Sequence, residues 1–514
     1  MDFINSSKAR NHVETLMRQN RVPGLSVAVI RDDQVYSEGF GSSSVNDQLP
    51  CTADSLFDIA SSSKSLTAAA IALLVEDEDF PDVKYDSVMS ELLPDDFVLS
   101  NDSYTRMVTV DDLLGHQTGM PGHDDSYMGV RASQPDDALS ITRNLRNLAH
   151  AAPPRSKYIY CNMMYTALTH LIQFKARQPF GEFLQERIFD RLGMDSSSLQ
   201  PQAARARGHG GRLAKGHIWD KTTSSYREFE AVDCPEGKGA GSIVSSANDF
   251  IKFIKALINH EGPVTEDVYK GLTRPRSSRP PNNRQKKANI DQLFYTAGME
   301  FYQVEDLAVF GHSGDITGFG SRFIFIPDLK FGAVVMGNSS GTNSVAAQLF
   351  REWIEDLTSP RLDHHSLEAN TDGGPDQKPP GTPKQPQNKP KNRAKEKPLE
   401  RGKLGDMTIR KEKTRNIGDK VTEETHEGED LVLVAYTGKY WSIGYKNMTV
   451  EIRDEQLFID ATDRSLGFTA RLKHKRDGRV FEAQVRDAFG TGYEVLGTEF
   501  VIGDGNVLKM GMDL

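Results

Sequence analysis

The chain has 514 residues and a formal charge of −10, from 62 basic and 72 acidic side chains. This acidic balance argues against a nucleic-acid partner, because a phosphate-binding face requires an excess of Lys and Arg. The N-terminal segment lacks the apolar stretch of a secretory signal, and no run of about 18 apolar residues predicts a membrane span. The cysteines, Cys51, Cys161 and Cys234, are too few and too scattered for a disulfide framework or a zinc site. We therefore expect a cytoplasmic protein without membrane contact.

Helical and β-type patterns alternate in the first part of the chain. Two β-rich runs around Arg31–Asp33 predict a hairpin at 24–40, and three more β runs lie between 307 and 340. Apolar spacing and composition predict helices over 8–20, 61–75, 161–174, 245–258 and 344–357. Strands at both ends with helices between them predict a mixed α+β domain over 8–358.

The composition changes after this domain. Residues 371–398 contain no Val, Ile, Leu, Phe, Met, Tyr or Trp, so they cannot bury enough apolar area to offset the entropy of ordering. We predict a disordered, charged and Pro-rich linker over 359–430. From 431 to 514, short β runs separated by turns predict a small all-β barrel or sandwich. The predicted runs are 448–453, 456–461, 468–474, 479–485, 493–497, 499–503 and 507–512.

The first candidate motif is Ser61-Ser62-Ser63-Lys64, at the start of the predicted helix 61–75. Residues three apart lie on one helix face, so the Lys64 amine can approach the Ser61 hydroxyl at the positive end of the helix dipole. An amine placed there can accept or polarise the hydroxyl proton. Taken alone, the pattern fits an ordinary N-cap serine better.

The second candidate motif is Tyr160-Cys161-Asn162, just before the predicted helix 161–174. A phenol has a pKa of about 10 and is a poor base in water, but a neighbouring lysine ammonium favours the phenolate, which can take a serine proton. The Asn162 amide offers a donor and an acceptor to orient that lysine and a substrate amide. Alone, a packed tyrosine and an N-cap asparagine explain the pattern better. Cys161 is interpreted as a packing residue.

The third candidate motif is Gly311-His312-Ser313-Gly314-Asp315, between two β runs. Glycines here let the backbone approach a ligand closely, and the N–H after Gly314 can bind an oxyanion. A Gly-rich turn with a hydrogen-bonded histidine is the simpler reading of this motif by itself. Trp219 is interpreted as packing, and His123 and Asp124 as either pocket-rim or ordinary loop residues.

Taken together, the order Ser-x-x-Lys, Tyr-x-Asn, His-x-Gly resembles the serine β-lactamase and penicillin-binding protein superfamily. Segments 22–27, 113–121 and 239–246 resemble further parts of that family, and the similarity spans about 10–357. It implies a β-lactamase-like fold, an antiparallel sheet flanked by helices.

The resemblance also indicates a branch and a second domain. Tyr160 in the second motif with His312 in the third is similar to the class C-like esterase and D-aminopeptidase branch, peptidase family S12. Segment 436–441 resembles the opening of the lipocalin-like barrel appended to some members. Nothing in the barrel region indicates a catalytic role.

The resemblance implies a role for each motif residue. Ser61 would be the acylated nucleophile, and Lys64 and Tyr160 would share the general-base task. Asn162 would orient Lys64 and the substrate.

The third motif would complete the site. His312 would hold Tyr160 or a substrate carboxylate, although a neutral imidazole is a weak anchor for a β-lactam carboxylate. The N–H groups of Ser61 and of Asp315, which follows Gly314, would form the oxyanion hole.

These roles predict a serine hydrolase that cleaves an ester, lactone or amide in a small-molecule or peptide-like acyl substrate. A nucleophile and a base suffice for this chemistry, so no metal or cofactor is expected. Two alternatives stay open: an acyltransferase of secondary metabolism that passes the acyl group to an alcohol or amine, and a sensor that acylates without turnover. The sequence also leaves a homo-oligomer open.

Overall fold

The strands of the first part of the chain belong mainly to one antiparallel sheet. The computed structural model describes residues 6–281, 290, 292–358, 409–411, 432–488, 494–503 and 506–512. The strands up to residue 358 are, in chain order, β1 Gly24–Arg31, β2 Gln34–Ser44, β3 Leu49–Pro50, β4 Phe57–Asp58, β5 Ser198–Leu199, β6 Gly216–Asp220, β7 Ser225–Phe229, β8 Ile243–Ser245, β9 Ser277–Arg279, β10 Leu293–Tyr295, β11 Glu300–Val304, β12 Leu307–Ile316, β13 Phe319–Ile326 and β14 Phe331–Gly337.

The main sheet joins the two ends of this domain. Among the described residues its nine strands follow the order β3-β2-β1-β14-β13-β12-β11-β10-β9. The first hairpin therefore lies beside the last strand, with Val27 opposite Val335. Strands β4, β8 and β5 form a small separate sheet, and β6 pairs with β7.

Helices cover both faces of the main sheet. They are α1 Ser7–Gln19, α2 Ser63–Glu76, α3 Met89–Leu92, α4 Asp102–Thr105, α5 Val110–Leu114, α6 Ala138–Asn144, α7 Asn162–Ala176, α8 Phe180–Leu184, α9 Asp190–Leu192, α10 Pro201–Ala206, α11 Ala247–Asn259, α12 Glu266–Thr273 and α13 Thr342–Thr358. No helix in the described part of the chain is both long and apolar enough to cross a bilayer.

The alternation of side chains along β1 separates two apolar cores. Ala28 and Ile30 face the larger core, with α2, α7 and α11, whereas Val27 and Val29 face the core under α1 and α13. A strand buried on both faces reads as a continuous apolar run, which is how 24–30 appears in the sequence. The predicted α+β fold, with an antiparallel sheet flanked by helices, is confirmed.

The C-terminal strands close into a barrel in which sequence neighbours pair antiparallel. Their alternate side chains fill a core of its own. They are β15 Ile409–Lys411, β16 Gly438–Ser442, β17 Lys446–Arg453, β18 Gln456–Ala461, β19 Phe468–Arg476, β20 Val480–Asp487, β21 Glu494–Gly503 and β22 Asn506–Met512. The predicted all-β barrel is confirmed.

Two details of the barrel differ from the prediction. The runs predicted at 493–497 and 499–503 are one strand, β21, which pairs with β20 along its first part and with β22 along its second. The first half of β21 thus has a different partner strand from the second half. This change of partner, rather than a turn of the backbone, accounts for the break in the sequence pattern. Strand β15 lies inside the predicted linker 359–430 and pairs with both β16 and β22. The rest of that range is outside the described residues.

Candidate active site

Ser61 lies in a strained turn immediately before the N-terminus of helix α2. A 3-10 turn over Ala60–Ser62 precedes the helix, and Ala60 has a φ of 44°, in the left-handed region that costs a non-glycine residue free energy. The Ala60 N–H donates to Asp58 Oδ1 at 2.7 Å, and β4, which carries Asp58, pairs with β8. The surrounding contacts therefore hold the Ser61 side chain in place.

Lys64 lies one turn further along and is fully buried, with 0% of its surface exposed. Its Nζ donates to Ser61 Oγ at 3.0 Å, to Asn162 Oδ1 at 2.7 Å and to the Ala240 carbonyl at 2.6 Å. The last partner belongs to segment 239–246, one of the segments that carried the family resemblance. Residues from three distant parts of the chain thus surround one amine.

Burial changes the charge of this amine. Loss of solvent lowers the pKa of Lys64 to about 7, and the negative charge of Asp124 opposes that fall. A large fraction of Lys64 is therefore neutral near neutral pH, and a neutral amine can accept a proton. The site residue Lys64 thus has the electrostatics that a general base requires.

Tyr160 contacts the same hydroxyl from the other side. Its Oη donates to Ser61 Oγ at 2.9 Å, and Lys64 Nζ lies 4.9 Å from the centroid of its ring. Burial, the largest cause, raises the pKa of Tyr160 well above 10, while the hydrogen bond to Ser61 opposes this only in part. Desolvation therefore works against the phenolate, and the general-base role of Tyr160 stays a prediction. Tyr160 is a neutral donor in the structure.

Asn162 begins helix α7 and bridges two charged groups. Its Oδ1 accepts from Lys64, and its Nδ2 donates to Asp124 Oδ2 at 3.0 Å. The sequence predicted that the amide would orient both the lysine and the substrate. The lysine contact is present, and one of the two N–H groups of the amide donates to Asp124, which the sequence had placed only at the rim of the pocket or in an ordinary loop. Asn162 also lines the cavity, and its contact with the substrate stays a prediction.

His312 is close to the site but has different partners from those expected. Its Nε2 lies 3.0 Å from Tyr295 Oη, and its Nδ1 donates to the Ser313 carbonyl at 2.7 Å. No hydrogen bond joins it to Tyr160 in the described residues. The other predicted role, holding a substrate carboxylate, stays a prediction. Burial, the largest cause, lowers the pKa of His312 to about 3, so the ring is neutral and accepts from the Tyr295 phenol. The sequence carried no signal for Tyr295.

Gly314 and Asp315 lie on the end of strand β12, which pairs with β13 on one side and extends beyond β11 on the other. Strand β11 pairs with β12 only as far as Gly311, whereas β12 continues to Ile316. A Cβ at Gly314 would lie 2.1 Å from the Ile59 carbonyl oxygen, so only glycine lets β12 approach the turn that carries Ser61. Asp315 and Ser61 line the same cavity. The oxyanion-binding role of the Ser61 and Asp315 N–H groups stays a prediction.

The cavity beside Ser61 has a volume of about 690 Å³. Its wall combines the apolar Ile316 and Trp219 with the polar Asn162 and the charged Arg21. The Arg21 guanidinium lies over the Trp219 ring, 4.2 Å from its centroid. Trp219 was interpreted from the sequence as a packing residue, and the structure shows that it also lines the cavity.

The barrel supplies another part of the cavity wall. The turn between β18 and β19 brings Ser465 and Leu466 to the cavity. The Ser465 N–H donates to the Tyr127 carbonyl, and the Ser465 hydroxyl lies 3.4 Å from Cys234 Sγ. No catalytic or binding role was predicted for this turn, because side chains that meet only across a domain interface leave no pattern in the sequence.

The antiparallel sheet lies between helices, and a lysine and a tyrosine both contact one serine hydroxyl. These features together define a β-lactamase-like protein. The family model described as Beta-lactamase matches residues 9–358, and the chain belongs to this family. A second model, described as a domain of unknown function (DUF3471), matches residues 422–514, which include most of the barrel.

Two curated relatives are fungal. The unguisins hydrolase of Aspergillus violaceofuscus is 35% identical, over 63% of this chain and 59% of its own length. The unguisins hydrolase of Aspergillus campestris is 29% identical, over 86% of this chain and 77% of its own length. The chain thus spans less than two thirds of the first relative.

A solved structure has the same two-part fold. The octameric penicillin-binding protein homologue from Pyrococcus abyssi superposes with a TM-score of 0.58 and 19% identity, over 99% of this chain and 100% of its own. At that identity the likeness concerns the fold alone.

Proposed function

We propose that this protein is a serine hydrolase that opens an amide or ester bond through an acyl-enzyme on Ser61. One observation carries the proposal: Ser61 Oγ lies 3.0 Å from Lys64 Nζ and 2.9 Å from Tyr160 Oη, at the wall of a cavity of about 690 Å³. A hydroxyl contacted by an amine with a pKa of about 7 and by a neutral phenol is arranged for nucleophilic attack.

In the first step the neutral Lys64 amine takes the proton of Ser61, and Oγ forms a bond to the substrate carbonyl carbon. The carbonyl oxygen becomes an oxyanion, which the N–H groups of Ser61 and Asp315 would stabilise. Tyr160 is a neutral donor 2.9 Å from Oγ. It can pass a proton to the leaving nitrogen or oxygen and recover one from the Lys64 ammonium as the old bond breaks.

In the second step water attacks the acyl-enzyme carbonyl. The same amine takes a proton from the water. The same phenol returns a proton to Ser61 Oγ as the acyl group leaves, and it recovers one from the Lys64 ammonium. The neutral His312 supports the site through Tyr295 rather than by charge. Lacking a cation in its third motif, the protein fits the class C-like esterase and D-aminopeptidase branch, peptidase family S12, better than an enzyme specialised for β-lactam carboxylates.

The substrate is proposed to be a peptide-like compound. The cavity volume lies within the range of sites that enclose whole small molecules, about 300 to 1,000 Å³. Unguisins, named in both fungal relatives, are the first compounds to test as substrates. The same proposal includes the domain boundaries 8–358, 359–430 and 431–514. It also includes a lipocalin-like barrel and a homo-oligomer. The octamer named for the structural neighbour motivates the last, which light scattering of the purified chain would test.

The decisive experiment is the intact mass of the protein after brief incubation with p-nitrophenyl acetate and, separately, with benzylpenicillin. We expect a transient acetyl adduct on the wild type and on Ser62→Ala, and none on Ser61→Ala. Ser62 is a matched control because its hydroxyl contacts Ser321 at 2.8 Å, away from the lysine. An adduct of equal yield on Ser61→Ala would disprove the nucleophile.

The same samples separate the alternatives. Decay of the adduct to free acid indicates a hydrolase, whereas an ester or amide formed with an added alcohol or amine indicates an acyltransferase. An adduct that never decays indicates a sensor. A lasting penicilloyl adduct would mean that a β-lactam carboxylate is recognised despite the neutral His312.

A further inference from the structure

Asp124 meets the catalytic cluster through one hydrogen bond. Its Oδ2 accepts from Asn162 Nδ2 at 3.0 Å, and its Oδ1 has no hydrogen-bond partner among the described residues. We propose that Asp124 is a positioning residue, which fixes the amide of Asn162 and thereby the direction from which Lys64 meets Ser61. This inference rests on the proposed function, in which Lys64 is the base.

The first step of the argument is the orientation of an amide. A carboxylate can only accept hydrogen bonds, whereas an amide has a donor side and an acceptor side. If the Asn162 amide were reversed, its oxygen would face the Asp124 carboxylate and its N–H groups would face the Lys64 amine. Both contacts would be repulsive or unpaired, so Asp124 keeps Oδ1 of Asn162 turned toward the lysine.

The second step is the geometry of the amine. A neutral Lys64 has two N–H groups and one lone pair. Asn162 Oδ1 and the Ala240 carbonyl, at 2.7 and 2.6 Å, can only accept, so they take the two N–H groups. The lone pair is left for the third neighbour, the Ser61 hydroxyl. An amide of fixed orientation therefore points the lone pair of the base at the proton it has to remove.

The third step concerns charge. The groups that face Lys64 include the rings of Tyr160 and Tyr165, the imidazoles of His116 and His312, the Cys161 thiol and the Asp124 carboxylate. Burial lowers the pKa of both histidines and raises the pKa of Cys161 to about 12, so these groups are neutral. Asp124 is the carboxylate of this set, and its charge raises the pKa of Lys64.

The loop that carries Asp124 is held by the barrel. His123 Nδ1 lies 2.6 Å from Tyr445 Oη, the Tyr127 carbonyl accepts from the Ser465 N–H, and the Gly129 N–H donates to the Asp463 carbonyl. Contacts on both sides of Asp124 thus come from the other domain. The position of the carboxylate, and through it that of the base, depends on how the barrel docks.

The test compares Asp124→Asn with Asp95→Asn in the full-length protein. Asp95 is the control carboxylate, because it is exposed and lies outside the loop that the barrel holds. The rate of acetyl-adduct formation from p-nitrophenyl acetate is measured by intact mass between about pH 5 and pH 9. For Asp124→Asn we expect the rate at its optimum to fall about tenfold, because the amide can now reverse. We also expect the acid limb to move to lower pH, because a charge that raises the pKa of Lys64 is gone.

A variant in which the carboxylate and the amide are exchanged should shift the acid limb of the pH profile in the opposite direction. In Asp124→Asn/Asn162→Asp the new carboxylate accepts directly from Lys64, and the new amide can donate to it. We expect the acid limb to move above that of the wild type, since the charge lies closer to the amine.

Two results would overturn the inference: Asp124→Asn with the rate and pH profile of Asp95→Asn, or a swapped variant whose limb coincides with that of Asp124→Asn. Failure of the proposed function is a separate result, the absence of a Ser61-dependent adduct on the wild type.

Discussion

Each of the two domains buries a basic side chain, and the two side chains differ in how burial affects their charge. Lys64 and Arg464 expose 0% and 1% of their surface. Lys64 is surrounded by oxygen atoms of the catalytic domain. Arg464 lies in the docked turn of the barrel, where Nη2 donates to the Asn447 carbonyl at 2.8 Å and Nη1 contacts Met128 Sδ at 3.2 Å.

The difference between the two lies in whether burial can remove the charge. Burial brings the pKa of Lys64 to about 7, so the amine titrates in the working range of the enzyme. Burial also lowers the pKa of Arg464, but the pKa of a guanidinium is ordinarily so high that the group stays protonated, with Asp463 and Asp125 as counter-charges. A buried lysine thus serves as a base, whereas a buried arginine provides a permanent charge between two domains.

The largest expected effect comes from replacing Lys64 with arginine, the residue type found at position 464. Lys64→Arg keeps a cation beside Ser61 but cannot lose its proton, so we expect the acylation rate with p-nitrophenyl acetate to fall about a thousandfold. The melting temperature, measured in parallel, shows whether the variant is folded. A folded Lys64→Arg protein with wild-type acylation would contradict the role of Lys64 as base.

The reverse change removes the permanent charge. Arg464→Met leaves Asp463 and Asp125 without their counter-charge in a buried interface, and we expect the free energy of unfolding to fall by about 3 kcal/mol. Denaturant unfolding of the full chain measures this. Arg471→Ala is the matched control, since that exposed arginine of the same barrel pairs with Asp454 alone among the described residues and its loss should change little. Equal stability of Arg464→Met and wild type would show that the interface does not need the charge.

A third prediction concerns the pH dependence of stability. The pKa of Lys64 is about 7 when folded and 10.5 when unfolded, so between these values the unfolded chain binds more protons. Wild-type stability should therefore rise with pH across that window, relative to Lys64→Met, by about 1 kcal/mol per pH unit. Parallel unfolding curves for the two proteins would contradict a lowered pKa.

The smallest expected effect belongs to the barrel side of the cavity. Leu466→Ala removes apolar wall without touching Ser61, so KM for a large substrate should rise a few-fold, while acylation by the small p-nitrophenyl acetate stays unchanged. A loss of acylation by the small reagent would mean that Leu466 acts on the catalytic groups and not on substrate fit.

Much of this architecture could be predicted from short-range patterns. Apolar periodicity indicated both domains, and the spacing of Ser61 and Lys64 placed both on the first turns of one helix. The structure brings Tyr160 and Asn162 to the same point, as the motif order implied. These features follow from local sequence because each motif lies at one end of a regular element.

The remaining features depend on contacts between distant segments. Tyr295 binds His312 because β10 and β12 lie on either side of β11 in the sheet order, and Asp124 reaches Asn162 because a loop folds back. The direction of the pKa change at Tyr160 depends on total burial, which a motif does not contain. Leu466 reaches the cavity only after the domains dock.

The position of the first hairpin in the sheet has a consequence for biosynthesis. Strand β1 needs β14 at its free edge, and Val27 meets Val335 there. A ribosome requires about 15 to 60 s to make the roughly 300 residues between them. During that interval the nascent chain carries an apolar hairpin with an open edge, which can pair with other chains. The N-terminal hairpin of the growing polypeptide therefore benefits from a chaperone until β14 has been made.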